Sequence, residues 1–212
     1  PGGVLWIGHD LKSWQKAYGL CAVQPKEETA TVGTIYDTAS LTKVLATTPS
    51  ILILAERGML ELTASVSKYI PAFSGQGREA VTLHHLLTHT SGLRPGLSLR
   101  ENWHGSAAAI NLACQESIQQ LPGKKFTYSD INFILLGEIV RRVSGKPLDK
   151  FAKEEIYLPL KMRDTGFNPA TPRQTRIAPT EKVDGQMLRG KVHDPTALRM
   201  GGVAGHAGVF ST

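Results

Sequence analysis

Long hydrophobic runs, cysteines in number and metal-finger spacings are all missing from this sequence, and each absence narrows what it can do. No apolar stretch approaches the roughly 18 residues that span a bilayer. The only two cysteines, Cys21 and Cys114, are too few for a disulfide scaffold; each reads as a buried free thiol, although the two could pair. No basic run exceeds two adjacent residues and no RNP-like pattern is present, so nucleic acid is not an expected partner despite a net charge of +6. That charge would suit an anionic partner such as a cell-wall polymer, but a solvated basic surface accounts for it equally well. Pro1 leads at once into strand-like residues, so no leader peptide is expected at this end.

Two further classes fall away on inspection. The run Gly201-Gly202-Val203-Ala204-Gly205-His206-Ala207-Gly208 is rich in glycine, yet no Gly-Lys-Ser/Thr follows it, so it is not a phosphate loop. His85 and His89 stand four apart beside His84, but Leu86 fills the place where a metalloprotease helix needs glutamate. No acidic residue lies within that cluster, and neither a metal nor any other cofactor is expected.

What is present is enough apolar material for a core: 41% hydrophobic and 20% charged residues in a chain of 212. Val4–Gly8 and Ser13–Gly19 flank the turn residues His9-Asp10-Leu11-Lys12, which predicts a β-hairpin. Residues 20–36 are loop-like, with one short strand near Thr31–Tyr36. Asp37 can cap a helix carrying Leu41, Val44, Leu45, Ile51, Leu52, Leu54 and Ala55 and stopping at Gly58. Pro49 lacks a backbone donor and should kink or restart it. Thr82 can cap a short helix through Leu87, and Ser106–Gln120 reads as another. Ser129 or Asp130 opens the clearest helix, where Ile131, Ile134, Leu135, Ile139 and Val143 recur at helical spacing until Gly145. From Asn168 to Gly202 the pattern dissolves into polar loop, a length more often functional than idle. Two strands alone make a marginal sheet, so the hairpin's apolar face needs more sheet or a helix against it.

The chemistry-bearing candidates begin with Ser-x-x-Lys. Thirteen serines and thirteen lysines in 212 positions predict roughly one chance match, and there are three: Ser13–Lys16, Ser40–Lys43 and Ser65–Lys68. On a strand, residues three apart point to opposite faces, which discounts the first pair. The third lies in a short polar stretch ended by Pro71. Only Ser40 stands at the first turn of a long apolar helix, where spacing puts Lys43 on the same face and the helix dipole favours developing negative charge. A lysine so placed can take the serine proton if burial or nearby positive charge favours its neutral form. The blander alternative is a capping serine and a solvated lysine.

Tyr128-Ser129-Asp130-Ile131-Asn132 at the mouth of the best helix is the second candidate. A tyrosine just before a helix can project its hydroxyl into a cleft and relay protons beside an ammonium. Read alone, Ser129 or Asp130 could simply cap the helix while Tyr128 packs as an aromatic staple.

Taken together, Ala39-Ser40-Leu41-Thr42-Lys43, Leu86-Leu87-Thr88-His89-Thr90-Ser91-Gly92-Leu93 and Tyr128-Ser129-Asp130-Ile131-Asn132-Phe133 resemble, in this order, the class C β-lactamase group. That group also holds D-alanyl-D-alanine carboxypeptidases and β-lactamase-like esterases. Val192-His193-Asp194 through Thr212 is similar to a branch of penicillin-binding-protein-like hydrolases. The resemblance implies an α/β fold of the α+β type, an antiparallel sheet flanked by a mostly helical region. It implies one domain over residues 1–212: a sheet part in 1–36, a mainly helical part in 37–167 and a loop in 168–212 leading back toward the sheet.

The implied activity is that of a serine hydrolase forming an acyl-enzyme on a β-lactam, a D-Ala-D-Ala peptide or a small ester. Ser40 would be the nucleophile, Lys43 and Tyr128 its proton carriers, and the Ser40 N–H half of an oxyanion hole; the identity of the acylation base in such sites is disputed. Asp130, standing where many members carry asparagine, would meet substrate with Asn132 as the substitute amide; His193 would meet it too, or else form with Asp194 a loop-stabilising pair, the blander role. The group's third motif, a Lys/His-Thr/Ser-Gly triplet on a C-terminal strand, is matched only superficially by His206-Ala207-Gly208. The expectation is therefore a chain lacking the C-terminal strands and an N-terminal helix, completed by another fragment or a second copy, or else poorly active. A non-catalytic module that binds penicillin or wall peptide is the rival from another class. A bacterial periplasmic or extracellular location follows from the resemblance alone.

Overall fold

The computed structural model describes residues 2–212. Strands β1 (Gly2–His9) and β2 (Lys12–Ala22) pair antiparallel through the predicted hairpin, and Asp10 takes a positive φ of 52° in the two-residue turn. β2 then pairs over a short register with β3 (Glu28–Thr29). The hairpin leaves Leu5, Trp6, Ile7, Trp14 and Tyr18 exposed, so its own residues build no core. A second small sheet has β8 (Val209–Ser211) between β4 (Tyr36–Asp37) and β5 (Gly166–Phe167), antiparallel to both. β6 (Lys182–Val183) and β7 (Gln186–Met187) form a separate hairpin.

The core belongs to the helices. After a 3-10 turn at Ala39–Leu41 and a π-turn at Lys43–Thr47, α1 runs over Thr48–Glu56. The restart falls where Pro49, in the first turn of α1, has no N–H to donate. Then come α2 (Val66–Tyr69), α3 (Leu83–Leu87), α4 (Ser106–Gln115), α5 (Asp130–Ser144), α6 (Leu148–Ala152) and α7 (Pro195–Arg199). Thr82 and His85 cap α3 reciprocally, side chain to backbone. The helix expected over Ser106–Gln120 stops at Gln115. Glu116 is held extended with its carboxylate in the Arg94 fork, and the Gln119 N–H goes to Gly92 O at 2.9 Å.

Helix α5 is the axis of the molecule. Ile131, Leu135, Leu136 and Ile139 are fully buried, and Gly145 closes the helix in the left-handed conformation, as its sequence predicts. Around it lie Ile51 and Leu54 of α1, Leu83 and Leu86 of α3, and Ala109 and Ala113 of α4. Burying a side chain of this size stabilises the fold by roughly 1.5–3 kcal/mol. The polar segment 168–202 carries a 3-10 turn over Thr171–Arg176, the β6–β7 hairpin and α7, so it is less irregular than its sequence implies. Both cysteines are free thiols. No helix among the described residues is long and apolar enough to cross a membrane.

Candidate active site

Where α5 begins, it meets the turn that carries Ser40. The Thr38 hydroxyl and N–H both donate to Val209 O, at 2.7 and 3.0 Å, and Asp37 Oδ1 accepts the Ala39 N–H at 2.9 Å. These bonds hold Ala39 at φ = 46°, an uncommon conformation for a residue with a side chain, just before an exposed Ser40. Thr42 Oγ1 accepts the Val209 N–H at 3.0 Å, and the Thr47 hydroxyl donates to Gly205 O at 2.6 Å. The stretch 205–211 is thereby tied along the whole serine-bearing turn.

The π-turn carries Lys43 inward, to 4% exposure. Its Nζ donates to Ser40 Oγ at 3.1 Å, to Asp130 Oδ1 at 2.7 Å and to His206 O at 3.3 Å, an acceptor for each ammonium proton. The Tyr128 and Phe133 rings lie over it, with centroids 4.7 and 5.6 Å away, in the range of cation–π attraction. Ser40, Lys43, Tyr128 and Asp130 are therefore brought together. Tyr128 meets Lys43 through its ring, and its hydroxyl makes no hydrogen bond among the described residues.

Of the other two expected contacts, Asn132 faces inward and His193 is exposed beside Asp194. Asn132 is fully buried; its Oδ1 accepts from the Ser91 hydroxyl at 2.7 Å and its Nδ2 lies 3.3 Å from His89 Nδ1. Its amide props neighbouring side chains and does not reach an open cleft. His193 is exposed, and it is the backbone N–H that is engaged, donating to Asp37 Oδ2 at 2.9 Å. The three clustered histidines do separate jobs. His84 is exposed, His85 caps α3, and His89 is buried with its ring stacked on Tyr128. Burial first, then the Lys43 charge, hold His89 below the usual imidazole range.

A pair that the sequence reading did not connect adjoins Lys43. His206 is 1% exposed, and its Nε2 lies 2.8 Å from Asp194 Oδ1, which also accepts the Ala197 N–H at 2.7 Å as the cap of α7. Burial alone would raise the Asp194 carboxyl, but His206, the Ala197 N–H and His193 outweigh it and hold the group below its ordinary range. Donor atoms of Asp130, Asp194 and His206 all lie within 4.8 Å of one another. Within this cluster Asp130 is paired with the Lys43 ammonium and Asp194 with the His206 ring. His206-Ala207-Gly208 thus offers Lys43 a carbonyl, while the side chain turns to Asp194.

A family model for beta-lactamases matches residues 1–212. The chain belongs to the beta-lactamase family. A protein of Escherichia coli K12 provisionally named D-alanyl-D-alanine carboxypeptidase is 34% identical over 235 residues, covering 94% of this chain and 53% of its own length. The N-acetylmuramyl-L-alanine amidase of Bacillus subtilis 168 is 32% identical over 247 residues, covering 100% and 56%. The chain spans about half the length of the curated relatives it matches. A class C beta-lactamase superposes on all of this chain and 56% of its own with a TM-score of 0.81 at 23% identity. An octameric penicillin-binding protein homologue from Pyrococcus abyssi does so at 0.76, over 100% and 50%, with 25% identity. The expected β-lactamase/transpeptidase-like fold is the one found.

Proposed function

We propose that this beta-lactamase-family chain carries the nucleophile side of a serine hydrolase that forms an acyl-enzyme. The observation that supports it best is the 3.1 Å hydrogen bond from the buried Lys43 amine to the exposed Ser40 hydroxyl. In the reaction, Ser40 Oγ bonds to the substrate carbonyl carbon while its proton passes to a neutral Lys43. The carbonyl electrons move onto oxygen and return as the leaving amine or alcohol departs, taking the proton back from Lys43 with Tyr128 as the relay beside it. Water then releases the acyl group and restores Ser40. Asp130, partly exposed at the edge of the site, and the exposed His193 are the proposed substrate contacts.

The names of the relatives favour a wall-peptide carbonyl of the D-Ala-D-Ala kind as substrate; a β-lactam or a small ester presents the same centre to the same nucleophile. A periplasmic or extracellular location is part of the same proposal. One observation favours a second reading, a non-catalytic binder: Asp130, 2.7 Å from Lys43, stabilises an ammonium that cannot accept a proton. Fluorescent penicillin and fluorophosphonate probes with intact-mass analysis separate the two. The hydrolase reading expects a single adduct that disappears in Ser40→Ala. A folded wild-type protein that takes up neither probe overturns it.

A further inference from the structure

The Asp194–His206 pair has no part in the chemistry just described, yet the buried His206 offers its carbonyl to Lys43 at 3.3 Å while its ring meets a half-buried Asp194. Four charges or potential charges meet here: Lys43 from the π-turn, Asp130 from the start of α5, Asp194 from the cap of α7 and His206 from the loop before β8. Two more imidazoles face the group. His89 behind Tyr128 feels both Lys43 and Asp130, and His193 feels Asp194. Among the described residues, His206 Nδ1 is buried without a hydrogen-bond partner. Asp194 alone orients the ring, and no local acceptor or donor locks the state of its second nitrogen.

With His206 protonated, the cluster alternates: Lys43 positive, Asp130 negative, Asp194 negative, His206 positive, summing to zero. Once His206 is neutral, two carboxylates face one ammonium and the sum is −1. An excess negative charge a few ångströms from a buried amine holds its proton more tightly. We propose that Asp194 and His206 are positioning residues for the Ser40–Lys43 pair: the imidazolium cancels Asp194, and that cancellation favours the neutral, proton-accepting form of Lys43. The inference rests on the serine hydrolase reading for its rate consequences and on geometry alone for the charge coupling.

The two parts are tested separately, in the full-length protein. Labelling of Ser40 by fluorescent penicillin is followed from pH 5 to 9 for wild type, His206→Gln, and Asp194→Asn/His206→Gln. Glutamine keeps a donor for Asp194 without the charge, and asparagine can still cap α7. His206→Gln is expected to label about tenfold more slowly than wild type at the acid end, the effect of a shift of about one pH unit at Lys43, and to converge on it at the alkaline end. Adding Asp194→Asn, which removes the excess negative charge, is expected to recover the acid-end rate. A structural role alone would slow labelling equally at every pH and leave the double variant no better; that result overturns the proposal.

The second arm needs no acylation. In a 13C-lysine-labelled protein, with Lys43 assigned through Lys43→Arg, Asp194→Asn is expected to lower the Lys43 titration midpoint by about one pH unit. An unmoved midpoint overturns the coupling whether or not the protein reacts. A moved midpoint in a protein that takes no label leaves the coupling standing and removes the hydrolase reading.

Discussion

His89 lies flat against Tyr128, with ring centroids 4.4 Å apart and planes inclined by 29°. The same imidazole accepts the Ser129 N–H at Nδ1, 3.0 Å away, so one buried ring fixes both the tyrosine and the first residue behind it. That acceptor exists only while Nδ1 is unprotonated, which ties the placement of Tyr128 to pH.

Folding disfavours the proton on His89, through burial and then the Lys43 charge. The unfolded chain therefore binds more protons as pH falls through the ordinary value of 6.5, and stability drops over that range. Denaturant unfolding of wild type and His89→Gln at pH 8, 7, 6 and 5 measures it. His89→Gln should be less stable by about 1–2 kcal/mol at pH 8, with a shallower loss toward pH 5. Parallel pH curves for the two proteins would refute the assignment.

Asp130 is the direct counter-charge of Lys43, at 2.7 Å. Replacing it by asparagine keeps an oxygen acceptor for Nζ and removes the charge that stabilises the ammonium. Ser40 labelling in Asp130→Asn should reach its half-maximal rate about one pH unit or more lower than in wild type. A profile shifted toward alkali would mean that Asp130 serves the reaction in some other way.

Glu138, 3% exposed at its side chain, sits in the grip of Arg141 and Arg142 on its own helix. Burial would raise its carboxyl, but the two guanidinium groups outweigh that and hold it below the ordinary 4.5. Its contribution is present above that value and is lost as pH falls through the lowered folded-state titration. Glu138→Gln should lower the unfolding free energy by about 1–2 kcal/mol at pH 7, and the difference from wild type should shrink below pH 4. Equal stability at pH 7 would show that the pair of arginines contributes nothing net.

Gly205 packs its backbone against α5: a methyl group there would run into the Phe133 carbonyl. Gly205→Ala should destabilise the protein by about 1–3 kcal/mol and slow Ser40 labelling, because it pushes the Gly205 carbonyl off Thr47 and the His206 carbonyl off Lys43. Gly3→Ala, where an added Cβ meets nothing within 4 Å, is the control. Matching melting curves for the two variants would contradict this packing.

The features legible in the amino-acid order are those set by neighbours along the chain. The hairpin about Asp10 and Leu11, the Thr82 cap of α3 and the run of α5 from Asp130 to its glycine stop each depend on a few consecutive residues. So does the spacing that puts Lys43 one turn beyond Ser40. Those bonds are local, and residue type and period describe them. The rest was decided by the tertiary structure. Asn132 turned inward to Ser91, α4 stopped where Arg94 grips Glu116, and His206 came to rest between Asp194 and Lys43. The carbonyl that meets Lys43 lies 163 positions further along the chain. No local preference encodes such a meeting; it follows from how α5 and β8 pack the serine-bearing turn between them.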